Sequence, residues 1–135
     1  MPNFDLVLRN CNLINENSTS QVDIAIKDKR IEKISSAITE KANKEIDVNG
    51  KNVAPGVIDD QVHFREPGLT KKGEIKTESL AALYGGITST MDMPNVSPAS
   101  TTLDLLEERF QLAKDKSWTN YSFYLGATPD NINEI

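Results

Sequence analysis

Two rhythms of apolar and polar residues divide the chain. Over the first fifty or so positions the period is two. Phe4, Leu6 and Leu8 recur at alternate positions, as do Val22, Ile24 and Ile26, so each run can bury one face of a sheet. Asp28-Lys29 separates the second run from Ile31 and Ile34, which predicts a hairpin. Ile46 and Val48 lead into Asn49-Gly50, a pair that tolerates positive φ and predicts a two-residue turn, with Val53 on a returning strand. Residues 1–54 therefore read as a small β-rich unit.

At Pro55-Gly56 the pattern changes. Val57-Ile58 opens a strand whose polar run begins at Asp59, and a loop from Arg65 to Gly73 leads to a helix over 75–84. Ile75, Ala82 and Leu83 lie near helical spacing, and Gly85 is a natural stop. Residues 87–93 form the next strand, closed by Pro94. Ser100, Thr101 or Thr102 can cap a second helix, in which Leu103, Leu106, Phe110 and Ala113 make an apolar stripe. Residues 121–125 predict a third strand, and Pro129-Asp130 a third helix.

This alternation is that of an α/β fold with a parallel sheet, and residues 55–135 read as the first three βα units of a barrel. A closed (β/α)8 barrel takes eight such units and typically ~250 residues, so the chain is expected to be the N-terminal portion of something longer. The plainer alternative is a small open α/β domain.

Composition narrows the function classes. A net charge of −5, with no cluster of Lys and Arg, argues against nucleic acid or an anionic membrane surface as partner. The single cysteine, Cys11, gives no internal disulfide, and the start Met1-Pro2-Asn3-Phe4-Asp5 lacks signal-peptide character, so the cytoplasm is the expected compartment. No apolar run approaches the ~20 residues needed to cross a bilayer.

The densest candidate chemistry is Asp59-Asp60-Gln61-Val62-His63-Phe64-Arg65-Glu66-Pro67-Gly68. Strand alternation points Gln61 and His63 to one side, where both could reach a metal; imidazole is a good zinc ligand and a carboxamide oxygen a weak one. Arg65 has the planar fork that holds a carboxylate bidentately. Blander readings stand beside these. The only histidine of a chain is more often structural, Arg65 and Glu66 could form a surface ion pair, and Glu66-Pro67-Gly68 could be turn chemistry alone. The second cluster, Met91-Asp92-Met93-Pro94-Asn95, ends the next strand. Asn95 can read a carboxylate or amide edge, although a turn asparagine after proline is the commoner role. Placement favours function, because barrel active sites assemble at the C-terminal ends of successive strands.

The run from Pro55 to Gly68 resembles the cyclic amidohydrolase signature P-G-x-I-D-x-H-x-H-F-R-E-P-G, in particular that of dihydroorotases. Gly85-Gly86-Ile87-Thr88-Ser89 followed by Met91-Asp92-Met93-Pro94-Asn95 is similar to the next block of that family, and the β-rich start resembles the N-terminal part of its side domain. Allantoinases share His-Phe-Arg-Glu-Pro-Gly but usually carry an extra Leu before the Asn of the second block, which is contiguous here. The resemblance implies a zinc-dependent hydrolase with one or two ions, interconverting dihydroorotate and N-carbamoyl-aspartate in pyrimidine biosynthesis. It implies His63 as metal ligand and His63, Arg65 and Asn95 as substrate contacts. Gln61 stands where the family has the first histidine of its pair, which weakens that position as a ligand. Two readings follow: an enzyme with an altered metal site, or a non-catalytic subunit partnered with aspartate carbamoyltransferase. A homodimer is the other association implied. The family's general base and remaining ligands come from later strands, so no general base is expected in these residues. Asp59, Asp60 and Asp92 are expected to play supporting or structural parts, and the 135-residue polypeptide alone is expected to be inactive.

Overall fold

The computed structural model describes residues 2–135, apart from the side chain of Glu134. The chain divides into two compact units, Met1–Pro55 and Gly56–Ile135.

The first unit is one sheet of β1 (Phe4–Asn15), β2 (Ser18–Lys27), β3 (Arg30–Ser35), β4 (Ala42–Asp47) and β5 (Asn52–Val53). Its order is β3-β2-β1-β4, with β5 also on β1. The hairpin at Asp28-Lys29 is present, and both residues take positive φ (49° and 63°), as a turn matched to strand twist requires. Asn49-Gly50 behaves differently from expectation. Both residues have positive φ, yet β4 and β5 do not form a hairpin; each runs parallel to β1, one after the other. The open edge of β1 decides the pairing. Gly50 N–H donates to the Asn10 carbonyl, so the turn becomes a detour beside the irregular step between Leu8 and Cys11.

Burial also departs from the simple alternation. Val7 and Ala25, paired across β1 and β2, are fully buried with Phe4 and Ile38 around them. The face carrying Leu6 and Leu8 is only half-covered, and Ile31, Ile34 and Ile46 are exposed. This sheet is apolar on both sides.

The second unit has a parallel sheet of β6 (Val57–Val62), β7 (Ile87–Asp92) and β8 (Asn120–Phe123), with α1 (Ile75–Tyr84) and α2 (Leu103–Lys114) as the intervening helices. The α/β alternation and the parallel pairing read from the sequence are therefore present, in a sheet of three strands. Val62, Phe64, Ile75, Ala113 and Phe123 form the core between sheet and helices, joined by Leu106 and Phe110. Thr102 caps α2 by accepting the Leu105 N–H. Leu103, expected in the apolar stripe, is instead 58% exposed, while Arg109 lies inside at 1%. At the end of the chain, where a third helix was expected, there is one 3-10 turn, Ile132–Glu134. The Asn131 side chain there does not cap it; Nδ2 donates to the carbonyls of Thr101 and Gly126, and Oδ1 accepts from Thr128 N–H.

Candidate functional site

The site grows from the ends of β6 and β7. Val62 at the end of β6 and Phe64 just beyond it are buried in the core, and His63 between them is exposed on the opposite side. The pairing of Asp59 with Thr90 and Val62 with Asp92 spans three steps on β6 against two on β7. One extra residue is thus inserted at Asp60-Gln61, a bulge of the kind that re-aims side chains beside active sites. The Asp59 carboxylate holds it by accepting the Gln61 N–H at 3.1 Å.

His63 Nδ1 lies 2.9 Å from Asn95 Oδ1, and Arg65 Nη1 lies 3.5 Å from the Asn95 carbonyl oxygen. The imidazole, the guanidinium and the carboxamide predicted to share a site therefore converge. A carboxamide oxygen facing Nδ1 calls for a proton on that nitrogen, which leaves the Nε2 lone pair open. It also leaves the Asn95 amide donors unspent by this contact.

Their positions depend on residues with no part in the predicted site. Asp92 is buried on the helix side of the sheet. Its Oδ1 accepts the N–H of Phe64, the residue between His63 and Arg65, at 3.1 Å, and its Oδ2 pairs with Arg109 Nη2 at 2.5 Å. Arg109 also donates through Nη1 to the Met93 carbonyl (3.1 Å) and the Ser100 hydroxyl (3.3 Å), and stacks 4.3 Å over the Phe123 ring. Burial pushes the Asp92 carboxyl up and the Arg109 guanidinium down, and each is opposed by the other's charge. Asp92 thus holds a supporting position, as expected. Asp59 serves the bulge, and the backbone carbonyl of Asp60 accepts from the Tyr124 hydroxyl.

Glu66 corrects a simpler picture. It is not a surface partner of Arg65. It is buried, Oε1 pairs with Lys116, and Oε2 accepts the Ile75 N–H at 2.9 Å. Because Glu74 at the N-cap position makes no side-chain cap, Glu66 supplies the missing acceptor for α1 from nine residues upstream. The two site loops also lock together. Ser97 N–H donates to the Pro67 carbonyl at 3.1 Å, and a Cβ at Gly68 (φ 78°) would sit 2.0 Å from the Ser97 carbonyl oxygen. Only glycine fits there.

The sequence held a signal for Arg109. It lies three residues after Leu106 and four before Ala113, inside the apolar stripe of α2. A cation on a buried face demands a buried anion, and Asp92 is the one that meets it.

As a metal site the described residues are incomplete. Among them no three His, Cys, Asp or Glu side chains gather closely enough to hold an ion. His63 offers one good donor through Nε2, Gln61 a weak one, and any further ligands would come from outside these residues. No helix among the described residues is long and apolar enough to cross a membrane.

Comparison with known proteins identifies the family. Residues 50–128 match the family model described as dihydro-orotase-like. The chain is 38% identical to the dihydroorotase of Fusobacterium nucleatum over 83% of its own length and 26% of the relative's. It is 35% identical to the allantoinase of Desulfitobacterium hafniense over 100% of its length and 30% of the relative's. Among solved structures, the L-hydantoinase from Arthrobacter aurescens superposes with a TM-score of 0.93 at 34% identity, covering 97% of this chain and 30% of that one. The chain thus spans under a third of the length of the proteins it matches. With the family model covering more than half of it, this chain belongs to the dihydro-orotase-like family of cyclic amidohydrolases.

Proposed function

We propose that the intact protein carrying this segment is a dihydroorotase, opening the ring amide of dihydroorotate to N-carbamoyl-aspartate and closing it again. The observation that carries this reading is the grouping of Arg65 and Asn95 beside His63. Dihydroorotate, a six-membered ring, bears a carboxylate that the five-membered hydantoin ring lacks, and a guanidinium paired with a carboxamide donor is a chemical match for that group. In this reading Arg65 takes the carboxylate bidentately while Asn95, its Oδ1 engaged by His63, donates through Nδ2. Together they would fix the ring so that its amide lies against the His63 side of the site. His63 would ligate zinc through Nε2, and the ion, when bound, would polarise the amide carbonyl and acidify a water. The groups that move protons in hydrolysis would come from outside the described residues.

A second reading has its own support. The similarity to an L-hydantoinase extends over 97% of the chain and to an allantoinase over all of it. A ring amide without the carboxylate would leave Arg65 without a substrate partner. A non-catalytic subunit bound to a carbamoyltransferase is favoured by one observation only, Gln61 in the place of a histidine.

Metal analysis and a dihydroorotate assay on the intact protein separate these readings. Bound zinc with dihydroorotate turnover is the expected result. A metal-free, inactive protein that co-purifies with a carbamoyltransferase would overturn it.

A further inference from the structure

The Asp92–Arg109 pair is buried on the helix side of the sheet, while the proposed substrate groups lie on the other. Its contacts nonetheless run to both halves of the site. Asp92 holds the Phe64 N–H, between His63 and Arg65. Arg109 holds the Met93 carbonyl, two residues before Asn95, and the Ser100 hydroxyl. Ser100 and Val96 N–H groups both donate to the Pro94 carbonyl, so the turn bearing Asn95 is fixed on each side. Besides the direct contacts of His63 and Arg65 with Asn95, the pair ties this turn through the end of β7 to the His63–Arg65 segment. A buried ion pair gives little net stability compared with an apolar pair of similar volume. What it provides here is direction: a planar guanidinium with three acceptors and an aromatic floor has one orientation.

We infer that Arg109 is a positioning residue for the site, setting the separation between the His63–Arg65 strand end and the Asn95 turn. This rests on the proposed carboxylate clamp for its kinetic consequence, and on geometry alone for its structural one. Lysine at 109 keeps the charge for Asp92 but lacks the fork that also reaches Met93 and Ser100. Alanine at 100 removes one acceptor and leaves the ion pair whole.

The test uses the intact protein and the variants Arg109→Lys, Arg109→Gln and Ser100→Ala, assayed with dihydroorotate and with hydantoin. For Arg109→Lys the expected result is a rise in KM for dihydroorotate of about tenfold, with hydantoin KM changed less than about threefold. Ser100→Ala should shift KM for dihydroorotate in the same direction by a smaller factor. Arg109→Gln leaves Asp92 buried without a cation and is the variant most prone to misfold; the other two carry the test if it does. Equal proportional losses on both substrates would mark Arg109 as a general structural residue and overturn the inference. If the wild-type protein turns over neither substrate, the functional reading fails, and crystal structures decide the positioning claim. Arg109→Lys should then separate His63 Nδ1 from Asn95 Oδ1 by more than 1 Å relative to wild type, and an unchanged contact would refute it.

Discussion

Arg65 takes a φ of 68°, a left-handed conformation that costs a residue with a Cβ roughly 1–2 kcal/mol. The turn that follows is held by the Leu69 N–H on the Arg65 carbonyl and by Glu66, and it leaves the guanidinium half-buried beside Asn95. Strain at a residue whose side chain is placed for binding has a testable signature. Arg65→Gly in the intact protein should raise thermal stability by about 1 kcal/mol while lowering kcat/KM for dihydroorotate by about 100-fold, the loss expected for a charge-assisted contact. Arg65→Ala and Asn95→Ala should each lower kcat/KM with zinc retained, read by kinetics alongside metal content. Unchanged kinetics in both would remove the clamp. Elsewhere, Asp23 illustrates a structural carboxylate. Burial works against its charge, but the Arg9 side chain and the N–H groups of Asn10 and Ile38 outweigh that and hold its pKa below the ordinary value. A depressed pKa adds stability above the unfolded value of about 3.9 and loses it as pH falls through the folded one. Acid unfolding followed by circular dichroism should therefore show a loss below about pH 4 that Asp23→Asn, already destabilised at neutral pH, largely lacks.

At the scale of elements, α1 starts where it does because Glu66 reaches its first N–H. Glu66→Ala should remove that acceptor and leave Lys116 unpaired, at a cost of about 1–2 kcal/mol measured by denaturant unfolding. Gly68→Ala should cost at least as much, because the added carbon meets a carbonyl oxygen and the φ is unfavourable. These contacts also show what was legible in advance. Val57-Ile58 marked the strand and the near-helical spacing of Ile75, Ala82 and Leu83 the helix, and both elements are present. Asn49-Gly50 foretold its own positive φ values but not its pairing, which the free edge of β1 decides. Pro129-Asp130 suggested a helix that Asn131 forestalls by spending its side chain on Thr101 and Gly126. Glu66 was read as turn chemistry because its partners, Lys116 and the Ile75 amide, are separated from it by loops whose course no local pattern fixes. His63, Arg65 and Asn95 were visible because successive parallel strands bring their ends together by construction.

For the molecule as a whole, two surfaces remain apolar. The first unit leaves Ile31, Ile34 and Ile46 exposed on one side of its sheet, and the second leaves Val57 and Ile58 exposed on β6. Relatives more than three times as long would have chain enough to cover both. We expect the 135-residue polypeptide expressed alone to associate, seen as a concentration-dependent mass in light scattering; a cooperative monomer would contradict that. Dihydroorotate recognition by this chain turns on the grouping of His63, Arg65 and Asn95 reading a ring carboxylate. The most direct measurement is kcat/KM of the intact, zinc-loaded protein for dihydroorotate against that for hydantoin. A preference for dihydroorotate of at least about tenfold, abolished by Arg65→Ala, is the predicted result, corresponding to about 1.4 kcal/mol or more of differential binding. Equal turnover of both rings, or a preference for hydantoin that Arg65→Ala leaves intact, would contradict it.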